Sequence, residues 1–366
     1  MIRTANYRDI SSTPIMKTDC LAANHNLILE STGEVKLCCN SSMALDYESG
    51  LVDTAIVGKL ATEIQTALAA GVPHKNCTRC WDEQQDGGRS YRYSYNDMYP
   101  EYSLLNDRSI KTIHVQYENT CNLTCVYCGP QFSSKWAELR HMKQGFRNPI
   151  TFSDTMLETL EMVTLAGGEP SLIKTNIELL DRLLVVNPNC QVIINTNLSM
   201  VKGNPVFERL VKFRSATVIV SFEAIEKQYE YIRQGAKWTD FVNNLHWISA
   251  QVERIQTSMI LFPLSINTIT DAIELSLQYV SPGDVYINNY HGSQLTWDNV
   301  DSARLAELRS NLVERAAKFD PAIQNQILSM SDSIMSTQSG TYFPFLDQYD
   351  QLIKSNHRII FTELYN

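Results

Sequence analysis

Three cysteines lie within eight residues in the stretch "CNLTCVYC", residues 121–128, with C-x3-C-x2-C spacing. Zinc and iron–sulfur clusters favour cysteine thiolates, and structural sites of both kinds usually take four protein ligands. Cys121, Cys125 and Cys128 therefore predict a metal centre with one coordination position left open. An open position is typical of a site that binds and activates a second molecule.

Four further cysteines near the N-terminus predict a second metal site. Cys20 and Cys38 belong to a C-x12-G-x4-C pattern, and "NCTRC" supplies Cys77 and Cys80. The stretch "LILESTGEVKLCC" between the first two predicts a pair of short strands around a turn. Four thiolates hold either zinc or an iron–sulfur cluster, and spacing alone does not choose between them. Neighbouring residues of a strand face opposite ways, so we expect Cys38 rather than Cys39 as the ligand.

Composition narrows the class of protein. The chain has 366 residues, ordinary apolar content and no low-complexity run, which predicts one large globular domain with smaller additions. A formal net charge of −9 counts against nonspecific nucleic-acid binding. No signal-like apolar segment or run of eighteen apolar residues is present, so we expect a cytoplasmic protein without membrane contact. There its nine cysteines are expected as metal ligands or reduced thiols, with Cys190 as a small buried side chain.

Residues 110 to 295 alternate short β-rich runs with amphipathic segments. The predicted strands are "IKTIHVQY", "EMVTLAG", "CQVIINTN", "ATVIVSFE", "QTSMILF" and "DVYINNY". The predicted helices are "FSSKWAELRHMK", "SLIKTNIELLDRLLVV", "VFERLVKF", "TDFVNNLHWISAQV" and "TDAIELSLQYV". Repeated β-then-α order predicts parallel strands in a barrel or an open doubly wound sheet, with ligands at the carboxyl ends of the strands. The three-cysteine motif follows the first strand, at that end.

The chain resembles radical S-adenosylmethionine (SAM) enzymes. After the cysteine loop come "GGEP" at 167–170, "NTN" and "SFE" at the ends of the third and fourth strands, and then "YIRQGAKW". The resemblance implies an α/β fold with a partial (β/α)6 TIM-like barrel. It also implies that Cys121, Cys125 and Cys128 hold three irons of a 4Fe–4S cluster, and that SAM binds the fourth iron through its amino and carboxylate groups. Reductive cleavage of SAM would then give a 5′-deoxyadenosyl radical that abstracts hydrogen from a substrate. An electron donor such as flavodoxin or ferredoxin would supply the electron.

The same resemblance implies SAM-binding roles for nine residues, namely Tyr127, Gly167, Gly168, Glu169, Pro170, Thr196, Asn197, Glu223 and Arg233. Tyr127 would lie by the adenine, and the two glycines, which lack a Cβ, would let backbone approach the methionine amino group. Arg233 would pair with the SAM carboxylate. Without the resemblance, Tyr127 would be a packing residue, Asn197 a turn cap and Arg233 an exposed charge.

The N-terminal cysteines resemble the twitch domain, a shortened relative of the SPASM domain that binds one auxiliary iron–sulfur cluster, here a second 4Fe–4S cluster. The auxiliary domain usually follows the barrel, whereas here it precedes it, and a group of twitch-containing radical SAM proteins shows this order. "GGRSYRYSYND", "CGPQFSSKWAEL" and "EYIRQGAKW" continue the resemblance. The implied domains are a twitch-like unit with linker at 1–105, the barrel at 106–295 and a C-terminal helical extension at 296–366.

The substrate is the most open question. We expect a peptide or protein, the alternative being a small metabolite such as an amino sugar. Asn288, Tyr290 and His291 are candidate substrate contacts, or else ordinary turn residues. The segment "SYRYSYNDMYPEYSLL" is either a substrate-facing lid or a linker that packs its rings onto the barrel. A zinc-binding structural or interaction protein and a two-cluster electron relay are rival functions, although "GGEP" counts against a relay.

Overall fold

The computed structural model describes residues 19–41, 44, 50–52, 54–85, 90–105, 108–142 and 150–365. The strands are β1 (Asn26–Leu29), β2 (Val35–Lys36), β3 (Leu51–Val52), β4 (Thr112–Val115), β5 (Thr151–Phe152), β6 (Met162–Leu165), β7 (Gln191–Thr196), β8 (Ala216–Ser221), β9 (Arg254–Leu261) and β10 (Val285–Asn289). The "GGR" of the quoted motif at 87–89 and the first eighteen residues lie outside the described residues.

The α-helices are α1 (Leu21–His25), α2 (Thr54–Ala69), α3 (Thr78–Gln85), α4 (Tyr91–Met98), α5 (Ser134–Leu139), α6 (Asp154–Thr159), α7 (Lys174–Val186), α8 (Pro205–Leu210), α9 (Glu226–Ile232), α10 (Trp238–Ser249), α11 (Ile269–Ser276), α12 (Ser302–Ala316), α13 (Pro321–Ser331), α14 (Pro344–Ile353) and α15 (His357–Ile360). Short 3-10 helices occupy Lys75–Cys77, Pro100–Leu104, Pro170–Leu172, Pro282–Asp284, Trp297–Asn299 and Thr362–Leu364. Within the described ranges, no helix is both long and apolar enough to span a bilayer.

One large sheet organises the fold. Its strand order is β10-β9-β8-β7-β6-β4-β1-β2, and every neighbouring pair is parallel except the β1–β2 hairpin. The six strands predicted between residues 110 and 295 are β4 and β6 to β10, and all six are confirmed. The five helices predicted between them are also confirmed, as α5, α7, α8, α10 and α11. The result is the α/β architecture with a parallel sheet and C-terminal helices that the sequence led us to expect.

The predicted N-terminal hairpin is confirmed, and it continues the large parallel sheet. All four residues of β1 pair with β4, from Asn26 opposite Thr112 to Leu29 opposite Val115. Asn26 adds side-chain bonds, accepting from Thr112 Oγ1 at 2.7 Å and donating to Leu37 O at 2.7 Å. Because β1 is buried along its whole length, it covers an edge of β4 that would otherwise expose unpaired backbone groups. At this edge the N-terminal segment is therefore structurally joined to the barrel, and the domain limits at 105 and 295 stay predictions.

The opposite edge of the sheet is covered by the C-terminal helices. Gln326 of α13 accepts a hydrogen bond from Ile287 N at 2.9 Å and donates one to Val285 O at 2.9 Å. One amide side chain thus satisfies a donor and an acceptor on the outer edge of β10. The helices expected in the C-terminal extension are present and begin with α12 and α13. They protect the last strand of the sheet.

The two faces of β1, β4 and β6 differ in character. One face is apolar and buried, with Leu27, Ile113 and Val163 in one row. The other face carries two mixed rows, Asn26–Thr112–Met162 and Ile28–His114–Thr164. Alternation of side chains along a strand produces this separation. The mixed face is therefore the one available to line a site.

Candidate active site

The three-cysteine loop follows β4 and is held in place from several directions. Thr124 N donates to Gln234 O at 2.9 Å, and Val126 N donates to Ile232 O at 2.8 Å, so the loop pairs with the end of α9 and the segment that follows it. From α5, Trp136 Nε1 donates to Cys125 O at 2.9 Å. Because the loop has no strand or helix of its own, these long-range bonds determine its conformation.

The three thiols of the loop lie near one another. Burial raises the pKa of Cys125 above its ordinary range, and the neighbouring Cys128 and Cys121 raise it as well, against a lowering effect of Arg233. Burial, with a smaller contribution from Cys121, raises the pKa of Cys128 to about 11. Thiols in this state are protonated, so a metal centre bound here has to displace their protons.

A single-ion arrangement is absent from the described part of the chain, in which no three histidine, cysteine or acidic side chains are placed to hold one metal ion. This observation concerns mononuclear sites. An iron–sulfur cube attaches each thiolate to a different iron. The three thiols of the loop fit such a cube in number, chemistry and proximity.

Gly167 and Gly168 press against the backbone that leads into the cysteine loop. A Cβ on Gly168 would lie 2.3 Å from Thr120 O and 2.5 Å from Asn119 O, and one on Gly167, whose φ is +108°, would lie 2.6 Å from Glu118 O. Glu169 N also donates to Thr120 O at 2.7 Å. The contact that demands glycine here is therefore with the chain's own backbone. An approach to SAM, which the resemblance implied for these glycines, remains a proposal.

Glu169 of the "GGEP" motif binds the end of β7. Its Oε1 accepts from Thr196 Oγ1 at 2.9 Å, and its Oε2 accepts from Asn197 N at 2.7 Å. The carboxyl group is buried, which raises its pKa, and these bonds oppose the rise. Glu169 and Thr196 were expected as separate SAM contacts, whereas the structure joins them to each other. Pro170 follows as the first residue of the 3-10 helix Pro170–Leu172.

Asn197 connects β7 to the cysteine loop. Its Nδ2 donates to Asn122 Oδ1 at 3.1 Å, and Asn122 Nδ2 donates to Ser199 Oγ at 2.8 Å. Between them Leu198 has φ +58°, in the left-handed region that bulky residues rarely adopt. Asn197 also caps this turn, because its Oδ1 accepts from Ser199 N at 2.9 Å. Asn197 therefore both caps the turn and lies beside the three-cysteine loop.

Glu223 and Arg233 form a buried ion pair beside the cysteines. Arg233 Nη2 lies 2.7 Å from Glu223 Oε2, and Arg233 Nε lies 3.1 Å from Oε1. Burial acts to lower the pKa of Arg233, but the attraction of Glu223 outweighs it, so this pKa rises above its ordinary value. Arg233 is therefore not an exposed charge. Two of its three guanidinium nitrogens bind Glu223, which leaves both N–H groups of Nη1 and the second N–H of Nη2 outside this pair.

Tyr127 lies against this ion pair. The Arg233 guanidinium is 5.6 Å from the Tyr127 ring centroid, and Tyr127 OH donates to Glu223 Oε2 at 3.4 Å. The ring also meets Phe262 edge-on at 5.7 Å, and Phe262 contacts Tyr290 at 5.9 Å. Tyr290, a candidate substrate contact, is thereby placed near the cysteine loop. Asn288 instead donates a hydrogen bond from Nδ2 to Ser258 Oγ at 3.2 Å. His291 is exposed.

The four N-terminal cysteines expected as auxiliary ligands line one cavity of about 20 Å³, together with residues of α3 and α4. The cavity is lined by Cys20, Cys38, Asn40, Leu68, Asn76, Cys77, Cys80, Trp81, Tyr91 and Arg92. Cys39 is not among them and is exposed, and the choice of Cys38 as the ligand stays a prediction. All nine cysteines, which fall in the described ranges, have free thiols. Cys190 is 1 % exposed, as expected for a packing residue.

Several hydrogen-bond donors around this cavity lack acceptors. Arg92 Nε, Arg92 Nη1 and Trp81 Nε1 are buried and have no hydrogen-bond partner among the described residues. Asn40 Nδ2 donates to Cys80 Sγ at 3.6 Å. Buried donors normally find acceptors, and an anionic centre held by four thiolates would provide them. The chemistry of the lining therefore fits a metal centre.

The tyrosine-rich segment packs onto the barrel. Tyr102 stacks on Tyr99 with ring centroids 5.0 Å apart, and Tyr99 contacts Tyr95 at 4.7 Å. Tyr95 OH shares a 2.8 Å hydrogen bond with Thr112 Oγ1, and Tyr102 OH donates to Glu161 Oε2 at 3.0 Å. The packing interpretation thus accounts for most of these rings.

A second cavity of about 280 Å³ separates α4 from the mixed face of the sheet. Its lining includes Tyr91, Tyr95, Met98, His114 and Gln116. Burial lowers the pKa of His114 to about 3, so its imidazole is neutral at physiological pH. Tyr91 lines this cavity and the four-cysteine cavity alike. The two spaces are neighbours with one shared wall.

Three supporting residues of the site were not expected from sequence. Tyr349 OH donates to Thr124 O at 2.6 Å, and the Tyr349 ring lies 5.4 Å from that of Trp136, which bonds Cys125. Asn122, the third, ties the loop to β7. For Tyr349 the sequence carries one signal, because it lies in "FLDQYDQL" of the C-terminal extension, a stretch with weak similarity to the family. A polar residue inside a metal-binding loop offers no comparable signal.

Replacing Gly168 by alanine should dislodge the cysteine loop. The added methyl group would overlap two backbone oxygens, which no side-chain rotation can relieve, so we expect a loss of roughly 1–3 kcal/mol in unfolding free energy and a lower iron content after reconstitution. Denaturant unfolding and iron analysis measure the two effects. Gly58→Ala in α2 is the control, because a Cβ there meets nothing within 4 Å. Equal behaviour of both variants would contradict the steric argument.

Comparison with known proteins bears on residues at the centre of this site. The model of the family described as the Radical SAM superfamily matches residues 115–276. The search among curated proteins found no match. Among solved structures, SuiB of Streptococcus suis bound to S-adenosylmethionine is 15% identical, with a TM-score of 0.41, covering 72% of this chain and 62% of that chain.

Two further solved structures are similar. SuiB bound to its precursor peptide SuiA is 13% identical, with a TM-score of 0.39, covering 81% of this chain and 65% of that one. Native anSMEcpe with bound AdoMet is 12% identical, with a TM-score of 0.37, covering 56% and 59%. This chain thus covers less than two thirds of each of these proteins. The family match includes the three-cysteine loop, "GGEP" and Arg233. Residues 115–276 therefore form a radical SAM domain.

Proposed function

We propose that the chain is a two-cluster radical SAM enzyme that cleaves SAM reductively and abstracts hydrogen from a peptide or protein. The observation that carries the proposal is the seating of the three-cysteine loop, within the matched domain, against Gly168 and Glu169. When bound, a 4Fe–4S cluster and SAM supply the one-electron chemistry and the 5′-deoxyadenosyl radical. The chain supplies ligands, orientation and exclusion of water.

Cys121, Cys125 and Cys128 would hold three irons and leave the fourth to SAM. The buried Glu223–Arg233 pair would act as a fixed wall beside them, because a bidentate pair between planar groups keeps both side chains in one orientation. Tyr127, held over this pair, would offer its ring to the adenine. Thr196 and Asn197 would act through Glu169 to keep the end of β7 beside the loop.

The four-cysteine cavity would hold the auxiliary cluster of a twitch-like domain. Cys20, Cys38, Cys77 and Cys80 line it together, and orphaned donors surround it. Zinc bound by the same thiolates is the alternative that the sequence offered, although no three such side chains among the described residues are placed to hold a single ion. Analysis of acid-labile sulfide separates the two metal centres. An electron donor such as flavodoxin or ferredoxin would reduce the clusters, and the free thiols suit the reducing conditions of the cytoplasm.

The cavity between α4 and the sheet would receive the group that is oxidised. Tyrosine and methionine side chains supply much of its wall, and His114 is neutral. Glu30, which also lines it, is paired with Lys36 at 2.9 Å. Such a lining favours a neutral apolar or aromatic group over a charged one. We therefore propose a peptide residue of that character as the hydrogen donor, with a small metabolite as the alternative.

Replacing Cys121, Cys125 and Cys128 together by alanine should remove about half of the bound iron and all 5′-deoxyadenosine formation, because the cluster that binds SAM loses all of its protein ligands. Iron and sulfide analysis with chromatography of the reduced reaction measures both. Cys190→Ala, a buried cysteine outside either site, should keep both properties. Continued SAM cleavage by the triple variant would contradict the assignment of these three cysteines to the cluster that binds SAM.

Replacing Cys77 and Cys80 by alanine should remove the other half of the iron while leaving SAM cleavage uncoupled from substrate. The reason is that these ligands belong to the second cavity. The matched control is Cys39→Ala, which should keep the full iron content because Cys39 lies outside that cavity. Circular dichroism must show a folded double variant, since metal-pinned segments can unfold without their metal. Full iron content in a folded double variant would mean that the second site is elsewhere.

Deuterium transfer tests the proposed acceptor. The reduced enzyme is incubated with SAM and with pools of peptides deuterated at aromatic and aliphatic side chains, or with deuterated amino sugars. We expect deuterium in 5′-deoxyadenosine from a peptide pool only, because the cavity lining is largely apolar and uncharged. Mass spectrometry of the nucleoside gives the answer. Transfer from the sugars alone would replace the peptide proposal with the metabolite alternative and leave the radical chemistry intact.

A further inference from the structure

We propose that Arg92 is the built-in counter-charge of the auxiliary cluster and that it raises the reduction potential of that cluster. The inference rests on the proposed function, because it takes the four-cysteine cavity to hold an iron–sulfur centre. Arg92 belongs to α4 and lines the same cavity as Cys20, Cys38, Cys77 and Cys80. It is thus a positioning residue for a cofactor and touches no reacting atom.

Arg92 is a buried cation whose charge is left uncompensated by the described residues. It is 4% exposed, and no acidic side chain of the described ranges forms an ion pair with it. Its Nη2 donates to Gln84 Oε1, while Nε and Nη1 have no partner there. Burying an unpaired charge costs several kcal/mol. A chain that keeps such a residue in its interior needs an anion at this place.

Stacking supplies only part of the compensation. The Arg92 guanidinium lies 5.5 Å from the Trp81 ring centroid and 5.3 Å from that of Tyr93. Such cation–π contacts contribute less than the burial of an unpaired charge costs. They also hold the plane of the guanidinium steady. Its unpartnered nitrogens are therefore kept beside the cysteines.

A four-thiolate iron–sulfur centre is the anion that this arrangement fits. Four thiolates on a dicationic cluster core leave a dianion, and hydrogen bonds to sulfur and nearby charge set the potential of such centres. Trp81 Nε1, buried without an acceptor among the described residues, and Asn40 Nδ2, 3.6 Å from Cys80 Sγ, are two further donors at the cavity. Reduction adds a negative charge, so a fixed cation stabilises the reduced cluster more than the oxidised one.

The test uses the full chain with Cys121, Cys125 and Cys128 replaced by alanine, so that the auxiliary cluster alone remains. In that background Arg92→Gln removes the charge and Arg92→Lys keeps it. At the midpoint potential of the Arg92 background, we expect the reduced-to-oxidised ratio of Arg92→Gln to fall at least tenfold, about 59 mV for a one-electron couple. Arg92→Lys should stay close to the parent. Redox titration followed by electron paramagnetic resonance measures this ratio.

Arg140→Gln is the matched control, because Arg140 also lies over a tryptophan, 5.4 Å from the Trp136 ring, but outside the four-cysteine cavity. It should leave the potential unchanged. If Arg92→Gln folds but loses its iron while Arg92→Lys retains it, the counter-charge is supported as well. An unchanged potential in Arg92→Gln, or equal loss of iron from both Arg92 variants, would overturn the inference while the cluster stands. Absence of iron and sulfide even with Arg92 present would overturn the auxiliary cluster itself.

Discussion

The contact between the backbone of Gly167 and Gly168 and that of residues 118–120 is the constraint on which the site depends. It works because no Cβ separates two stretches of main chain, one entering the cysteine loop and one leaving β6. Glu169 follows directly and carries the constraint onward to β7 through Thr196 and Asn197. These contacts fix the position of a loop without secondary structure relative to β6 and β7, two neighbouring strands of the parallel sheet.

The two cysteine sites handle buried charge in opposite ways. Beside the three-cysteine loop, Arg233 is matched by Glu223 in a bidentate pair, so the protein is electrostatically complete there. Beside the four-cysteine cavity, Arg92 has no such partner among the described residues. One face of helix α4 closes the four-cysteine cavity, while its tyrosines face the sheet.

Local pattern was enough to predict most of the architecture. Runs such as "CQVIINTN" and "ATVIVSFE" are β-branched and bounded by turns, and they became β7 and β8. The pairing of β1 with β4 was not predictable, because it joins segments 86 residues apart through backbone hydrogen bonds, which no side-chain pattern in the sequence indicates. Glu223 and Arg233 were both expected at the site as partners of SAM, and their bond to each other depends on the turn after β8. The burial of Arg92 was hidden for a similar reason, since "SYRYSYND" has an ordinary polar composition.

The hydrogen bond from Tyr349 to the Thr124 carbonyl spans 225 residues. Contacts of such sequence separation form late in folding, because the closure entropy of the intervening chain must be met first. During synthesis, the barrel strands leave the ribosome well before α14 does, so the nascent cysteine loop lacks its last anchor for that interval. Because α14 is translated after these strands, this anchor of the cysteine loop can form only once the C-terminal segment has been made.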